Sequence, residues 1–264
     1  MANHLSLRSG NPALSSSNFK NIKTISIGEK MTISGTVNKT IISLIILLLT
    51  GYFSFNYAGG NWFFIIGGSI GGLILAIITI FKKEWSPITV PIYAGLEGLA
   101  LGGISFWYAN STFIAENVGS EVGSDNTGIV PQAITLTLGI LFALLFAYKS
   151  KIIAATENFK LGVFAATGGI FVVYFIGMIM HFIPGLAFPS FLSPTNASWF
   201  SIGFSLFVVI IASLNLVLDF DFIEEGSERG LPKYMEWYAA FGLLVTLIWL
   251  YLEILRLLSK LRSR

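Results

Sequence analysis

Seven apolar runs of near-spanning length constrain the fold of this chain more than any other feature. The runs are Thr40–Tyr57, Trp62–Phe81, Pro87–Tyr108, Val130–Tyr148, Leu161–Phe182, Ser198–Leu218 and Tyr238–Leu258. Each run is close to the roughly 20 residues that a helix needs to cross a bilayer, and none alternates apolar with polar residues as a barrel strand does. The composition agrees, with 54% hydrophobic and only 11% charged residues. The sequence therefore predicts an all-α, polytopic membrane helix bundle of seven transmembrane helices.

The basic residues predict the orientation of these helices. Lysines and arginines occur before the first run and in the second, fourth and sixth connections, whereas the first, third and fifth connections have none. Because basic residues are retained on the cytoplasmic side, the N-terminus is expected in the cytoplasm. Residues 1–38 are polar and contain no signal peptide, so we interpret them as an N-terminal cytoplasmic segment and residues 39–264 as the transmembrane domain.

The basic C-terminus conflicts with this orientation. With seven spans, the last four basic residues would follow the seventh run to the outside: Arg256, Lys260, Arg262 and Arg264. A re-entrant apolar segment would return them to the cytoplasm. We expect seven spans, because upstream charges usually dominate the topology.

Residue types that are missing exclude several kinds of chemistry. The chain has no cysteine and two histidines, His4 and His181, which excludes thiolate nucleophiles and zinc sites built on cysteines or on three histidines. The Tyr-Asp and Gly-x-Gly-Asp strings of membrane aspartyl proteases are absent. The Gly-x-Ser-x-Gly pattern of serine hydrolases occurs once, as Gly67-Gly-Ser-Ile-Gly71, but it lies inside an apolar run and no histidine base is close to it in the sequence. We therefore expect neither an enzyme nor a bound cofactor.

Small residues form two faces inside the apolar runs. The second run contains Gly67-Gly68 and Gly71-Gly72, and the third contains Gly98 and Gly102. Glycines four residues apart let two helices approach closely. Such a face serves either simple bundle packing or a mobile helix that lines a pore.

Two acids at membrane depth are candidate cation-handling groups. Glu97 lies in the middle of the third run, where a carboxylate costs a few kcal/mol unless it is neutral or partnered. It is either hydrogen-bonded within the bundle or part of a proton or cation relay. Asp219 follows an uncharged stretch that extends from Leu161 to Leu218. Asp219 shares a helix face with Asn215, four residues earlier. Asp221 is expected to face the connecting loop, and the glutamates beyond it are expected in water.

The last run contributes three further polar residues. Thr246 and Glu253 are seven residues apart and share a helix face, and Glu253 can pair with Arg256. Glu236 opens this helix, where an acid is favoured by the helix dipole, and we assign it no chemistry.

Three motifs, taken in order, resemble one known family. They are Leu-Glu-Gly-Leu-x-Leu-Gly at 96–102, Leu-Asp-Phe-Asp-Phe-Ile at 218–223 and Leu-x-Ile-Leu-Arg-Leu-Leu at 252–258. This pattern is similar to the Bax-inhibitor family, also called the transmembrane Bax-inhibitor-motif family. Two N-terminal stretches, Gly10–Leu14 and Gly35–Thr40, resemble a bacterial subgroup of it.

The resemblance implies a seven-helix bundle with a central last helix and a pH-sensitive calcium leak. In the family, the leak is gated by hydrogen-bonded carboxylates near the ends of helices six and seven. Asp219 matches the first carboxylate, whereas Thr246 stands where the second is expected. Threonine can bond to Asp219 but cannot share its charge. Glu253 or Glu97 would replace the missing acid only if the bundle brings one of them near.

Two functions remain open at this stage. The first is a cation leak or exchanger, with calcium held at Asp219 and helped by Glu97, Asn215, Thr246, Asp221 and Glu253. The alternative is a non-transporting membrane regulator that binds a protease or a stress-response partner through residues 1–38. Either protein would be a multi-pass protein of the inner (plasma) membrane. Its partners would be the lipid bilayer, a cation such as calcium, or another membrane protein, and no nucleic acid.

Overall fold

Seven long helices account for most of the described chain. The computed structural model describes residues 30–110, 128–183, 189–194 and 196–263. The helices are α1 (Ile33–Tyr57), α2 (Trp62–Phe81), α3 (Ser86–Asn110), α4 (Ile129–Lys149), α5 (Glu157–Phe182), α6 (Trp199–Glu228) and α7 (Met235–Arg262), with short 3₁₀ turns at Lys83–Trp85 and Ser190–Leu192. All seven are long and apolar enough to cross a membrane. The predicted all-α fold with seven helices long and apolar enough to span a membrane is confirmed, and the side of the membrane on which the C-terminus lies stays a prediction.

The helices begin earlier or end later than the apolar runs. Helix α1 begins at Ile33, because the Thr32 hydroxyl caps it by accepting a hydrogen bond from the Gly35 amide. Residues 33–38, which the sequence assigned to the polar segment, are therefore helical. The rest of that segment, residues 1–29, lies outside the described residues, as do the Gly10–Leu14 motif and Arg264.

Helix α6 continues through the acidic sequence that follows Leu218. It ends only at Glu228, and Gly230 then adopts a left-handed conformation with φ of 63°. Asp221 therefore lies within α6, and the expectation that it faces the connecting loop or the lipid headgroups stays a prediction. The physical reason is that no residue of Asp-Phe-Asp-Phe-Ile-Glu-Glu breaks a helix, so the first strong stop is the glycine at position 230.

The chain forms two compact units, and α6 and α7 each contribute to both. The first unit is Met1–Trp107 with Leu218–Thr246, and the second is Tyr108–Val217 with Leu247–Arg264. In the most apolar window of each helix, α3, α6 and α7 bury 56%, 67% and 61% of the residues, against 17–22% for the other four. The last helix thus supplies buried residues to the cores of both units, as the family resemblance implied.

Close approach of backbones organises the first unit. Gly98 of α3 lies directly against Leu47 and Thr50 of α1, and Gly68 of α2 lies against Leu96 and Ala100 of α3. A side chain at either glycine would collide with its neighbours. The small-residue faces therefore serve helix packing.

Aromatic and aliphatic side chains fill the interiors. In the first unit, the rings of Tyr93 and Phe241 pack edge to face with centroids 5.1 Å apart. In the second, Ile170, Val208 and Ile211 form a buried cluster. Large apolar side chains on the outer helices are exposed, for example Phe63 at 77% and Phe81 at 80%. Such surfaces suit contact with lipid.

Candidate functional site

Asp219 is the most deeply buried acid of the candidate site. Its side chain is 0% exposed, and its neighbours along α6, Leu218 and Phe220, are buried as well. The Thr246 side chain of α7 interacts with its carboxyl group, which places the two residues together in the first unit. Neither carboxyl oxygen of Asp219, however, makes a hydrogen bond of ordinary geometry with any described residue. The carboxyl group is therefore in contact with Thr246 but far from satisfied.

This arrangement is energetically costly for an ionised carboxylate. Removing a carboxylate from water without a compensating partner costs several kcal/mol in real proteins, by an order-of-magnitude estimate. A threonine hydroxyl supplies one dipole and no charge. Asp219 can therefore remain buried cheaply only when it is neutral, and its ionised form gains from water, from a cation, or from separation of α6 and α7.

Asn215 lies one turn before Asp219 on α6 and is 1% exposed. Its amide nitrogen donates to the Thr167 hydroxyl of α5 and to the Ile211 carbonyl, both at 2.9 Å. Its carbonyl oxygen has no partner among the described residues. The amide N–H groups of Asn215 are therefore both used in hydrogen bonds within the second unit, whereas its carbonyl oxygen can still accept one.

Glu97 does not form a pair with Asp219. It is half-buried on α3, and its carboxyl group lies against Gly72 of α2. The unsatisfied Asp219 oxygens exclude a hydrogen bond between the two acids in the described chain. Glu97 therefore does not replace the second acid of the family's pair.

Glu253 belongs to a separate and complete cluster. It is 2% exposed and accepts hydrogen bonds from Arg256 at 2.9 and 3.0 Å and from the Tyr174 hydroxyl at 2.9 Å. Arg256 also donates to the Tyr174 oxygen at 2.7 Å. The predicted Glu253–Arg256 pair is thus present. Because Glu253 lies about 10 Å farther along α7 than Thr246 and is already neutralised, it cannot serve Asp219 as a second acid.

Asp221 is half-buried on α6, two residues from Asp219, and it is not free of partners. Its position two residues on turns it to another face of the helix. Among the described residues, no group of three or more His, Cys, Asp or Glu side chains could hold a metal ion. Calcium takes about six to eight oxygen ligands. Asp219 therefore suits a transient contact with a cation better than a resident calcium site.

Sequence reasoning missed Lys260. This lysine is 0% exposed near the end of α7, and its ammonium group donates to the Phe191 carbonyl and the Ser205 hydroxyl, both at 2.8 Å, and to the Ser201 carbonyl at 3.3 Å. Three acceptors match the three donors of an ammonium group. Its spacing from Glu253 and Arg256 places all three residues on one face of the helix, a signal that could have identified it.

Sequence reasoning also gave too little weight to Glu236. This acid is 0% exposed in the first turn of α7. One of its oxygens accepts two hydrogen bonds from Thr32, and Lys233 lies 3.3 Å from the same oxygen. No sequence pattern could have found this contact, because Thr32 and Glu236 are separated by 204 positions.

Comparison with protein-family models matches residues 11–263 to a family described as Bax inhibitor 1 like. Comparison with curated proteins gives no match. Comparison with solved structures gives none either.

Proposed function

Because the chain belongs to the Bax inhibitor 1 like family, we propose that it is a pH-sensitive cation leak or exchanger in which Asp219 is the gating group and calcium the principal cation. The observation that carries the proposal is the buried Asp219 carboxyl, which contacts Thr246 and has no ordinary hydrogen bond to either oxygen among the described residues.

The proposed gate operates by a single proton. At low pH, Asp219 is neutral and can donate a hydrogen bond to the Thr246 hydroxyl, which keeps α6 and α7 together at this point. At higher pH, Asp219 ionises, and the carboxylate draws in water or a cation because threonine cannot neutralise it. Cation flux therefore rises with pH. With one acid instead of a coupled pair, the flux follows a single-proton titration.

Glu97 is proposed as a second contact for the permeating cation. Its half-buried carboxyl group lies against Gly72 of α2 in the first unit and makes no hydrogen bond with Asp219 among the described residues. An intramembrane acid of this kind is a candidate for ion handling. Asn215 is held within the second unit by its bonds to Thr167 and Ile211, and neither Asn215, Asp221 nor Glu253 is needed in the mechanism.

Calcium flux into proteoliposomes tests the proposal. Wild-type flux is expected to increase with pH, and Asp219→Asn, which stays neutral at every pH, is expected to give low and pH-independent flux. Glu228→Gln is a matched control, because Glu228 is an exposed acid farther along the same helix. Wild-type protein without flux at any pH would overturn the proposal and leave the non-transporting regulator as the alternative.

We also propose a multi-pass protein of the inner (plasma) membrane with a cytoplasmic N-terminus. The positive-inside pattern supports this orientation, and Lys30 pairs with Pro232, so the approach to α1 and the α6–α7 connection lie at the same end of the first unit. The basic residues near the C-terminus are engaged, since Arg256 pairs with Glu253, Lys260 is buried and Arg262 donates to Gln132. They therefore contribute less to topology than free charges would.

Cysteine labelling tests this orientation cleanly, because the chain has no cysteine of its own. A membrane-impermeant thiol reagent is expected to label Lys82→Cys only from the cytoplasmic side and Asn61→Cys only from the opposite side. The reverse pattern would overturn the orientation.

A further inference from the structure

The first turn of α1 lacks one half of a common helix cap. In a capping box, the N-cap Ser or Thr accepts a hydrogen bond from the amide three residues later, and a Glu or Gln at that later position accepts one from the N-cap amide. Here Thr32 makes the first bond to the Gly35 amide, at 3.0 Å. Gly35 has no side chain, so the second bond cannot come from α1 itself.

Glu236 of α7 supplies the missing acid. Its carboxyl group occupies the space that a side chain on Gly35 would fill. One carboxyl oxygen accepts from the Thr32 amide at 3.0 Å and from the Thr32 hydroxyl at 2.9 Å. The cap of the first helix is therefore completed by the last helix.

The residues just before α1 also bind the connection between α6 and α7. The Met31 amide donates to the Leu231 carbonyl at 2.7 Å, and Lys30 forms a bridge with Pro232. Met31 is 2% exposed, and its sulfur lies close to Gly226 near the end of α6. We call Lys30–Thr32 the N-terminal strap. It crosses the end of α6, the connection and the start of α7.

We propose that Glu236 is a positioning residue that holds the N-terminal strap across the α6–α7 connection and so restrains the separation of α6 and α7 at the Asp219–Thr246 contact. This inference rests on the proposed cation leak.

Removal of Glu236 affects its two partners, Lys233 and Thr32, differently. Lys233 is 46% exposed on its side chain and can turn to solvent when the acid is lost. The bonds from the Thr32 amide and the Thr32 hydroxyl are both lost when the acid is removed. Loss of Glu236 therefore frees the strap while leaving the α6 and α7 sequences around Asp219 unchanged.

The experiment combines hydrogen exchange with calcium flux on the full chain. Glu236→Ala is expected to speed amide exchange in residues 30–36 by a factor of about 5 or more, which is the factor that corresponds to one lost helix cap. It is also expected to raise calcium flux at low pH, where the wild type is closed. Glu236→Gln keeps an acceptor oxygen and should behave as the wild type in both measurements.

Thr32→Val and Glu228→Ala complete the design. Thr32→Val leaves the α7 sequence unchanged and removes the hydroxyl that accepts from the Gly35 amide and donates to Glu236, so it should change both readouts in the same direction as Glu236→Ala even if that variant folds poorly. Glu228→Ala, at an exposed acid on α6, should change neither readout. Unchanged exchange in both strap variants would overturn the proposed cap. Faster exchange with unchanged flux would overturn the restraint on the gate. Wild-type protein with no flux would refute the leak instead, and the exchange measurement would still test the strap.

Discussion

Asp219 on α6 and Thr246 on α7 face each other in the first unit, and the threonine occupies the position where the family resemblance leads one to expect an acid. The aspartate is 0% exposed and the threonine 3%. A buried acid that faces a hydroxyl has one titrating group, whereas a pair of acids has two, so only one proton has to be gained or lost at this contact. The pH dependence of flux should therefore differ from that of a protein with a coupled pair of acids.

Restoring the second acid should change the form of that response. Thr246→Asp places two carboxyl groups at the contact, and two interacting acids release their protons in two coupled steps. We expect the single-step pH dependence of wild-type flux to become broad or biphasic. Thr246→Ser keeps a hydroxyl and should preserve a single step. A single step of unchanged width in Thr246→Asp would contradict the proposed contact.

Neutralising Glu97 should affect the amount of flux and leave its pH dependence in place. Glu97 makes no hydrogen bond with Asp219 in the described chain, so Glu97→Gln should remove the proposed cation contact without altering the gate. We expect a several-fold reduction of calcium flux across the whole pH range in proteoliposomes. Loss of the pH dependence in this variant would show that Glu97, and not Asp219, is the gating acid.

Breaking the Glu253–Arg256 pair should lower stability and leave the gate unaffected. Removing one partner of a buried pair costs roughly 3–5 kcal/mol. Arg256 keeps 26% of its side chain exposed, so we expect about 2–3 kcal/mol for Glu253→Gln, measured as a lower unfolding midpoint in detergent. The pH profile of flux should match that of the wild type. A shifted profile would mean that this cluster is coupled to Asp219.

The Lys260 site should hold the α5–α6 connection in place. Lys260→Met removes donors from the Phe191 and Ser201 carbonyls, so hydrogen exchange in residues 189–194 should accelerate and the unfolding midpoint should fall. Lys149 provides the matched control, because it is exposed at the end of α4. Lys149→Met should leave both quantities unchanged, and equal effects of the two substitutions would argue against a specific Lys260 site.

The close approach of α1 and α3 is testable with two glycines. A methyl group at Gly98 would collide with Leu47 and Thr50, whereas nothing lies within 4 Å of the corresponding position at Gly67. Gly98→Ala should destabilise the protein by about 1–3 kcal/mol through overpacking. Gly67→Ala should be neutral or stabilising by up to about 1 kcal/mol, because alanine favours helix. Equal unfolding midpoints in detergent would contradict the packing described for Gly98.

The sequence was sufficient for the helices because a bilayer tolerates few alternatives to a long apolar helix. The same reasoning placed the end of α6 too early, since it followed hydropathy and stopped at Leu218. The helix actually ends at Glu228, just before Gly230 adopts a left-handed backbone conformation. Similarly, hydropathy did not detect the Thr32 cap that starts α1 before the apolar run.

The candidate site was predictable where it depends on spacing along one helix. The shared face of Asn215 and Asp219 and the Glu253–Arg256 pair follow from helical periodicity. The Thr246 contact came from the family resemblance. The partners of Glu236 and Lys260 could not be predicted in this way, because Thr32 and Phe191 are distant in sequence and are brought close only by packing.

The most direct measurement of the central claim is calcium flux into proteoliposomes as a function of pH, with Asp219→Asn beside the wild type. The account predicts that wild-type flux rises with pH along a single-proton curve, because ionised Asp219 opens the contact with Thr246. It predicts that Asp219→Asn gives low flux with no pH dependence. Equal flux in the two proteins at every pH would contradict the claim that Asp219 is the gate.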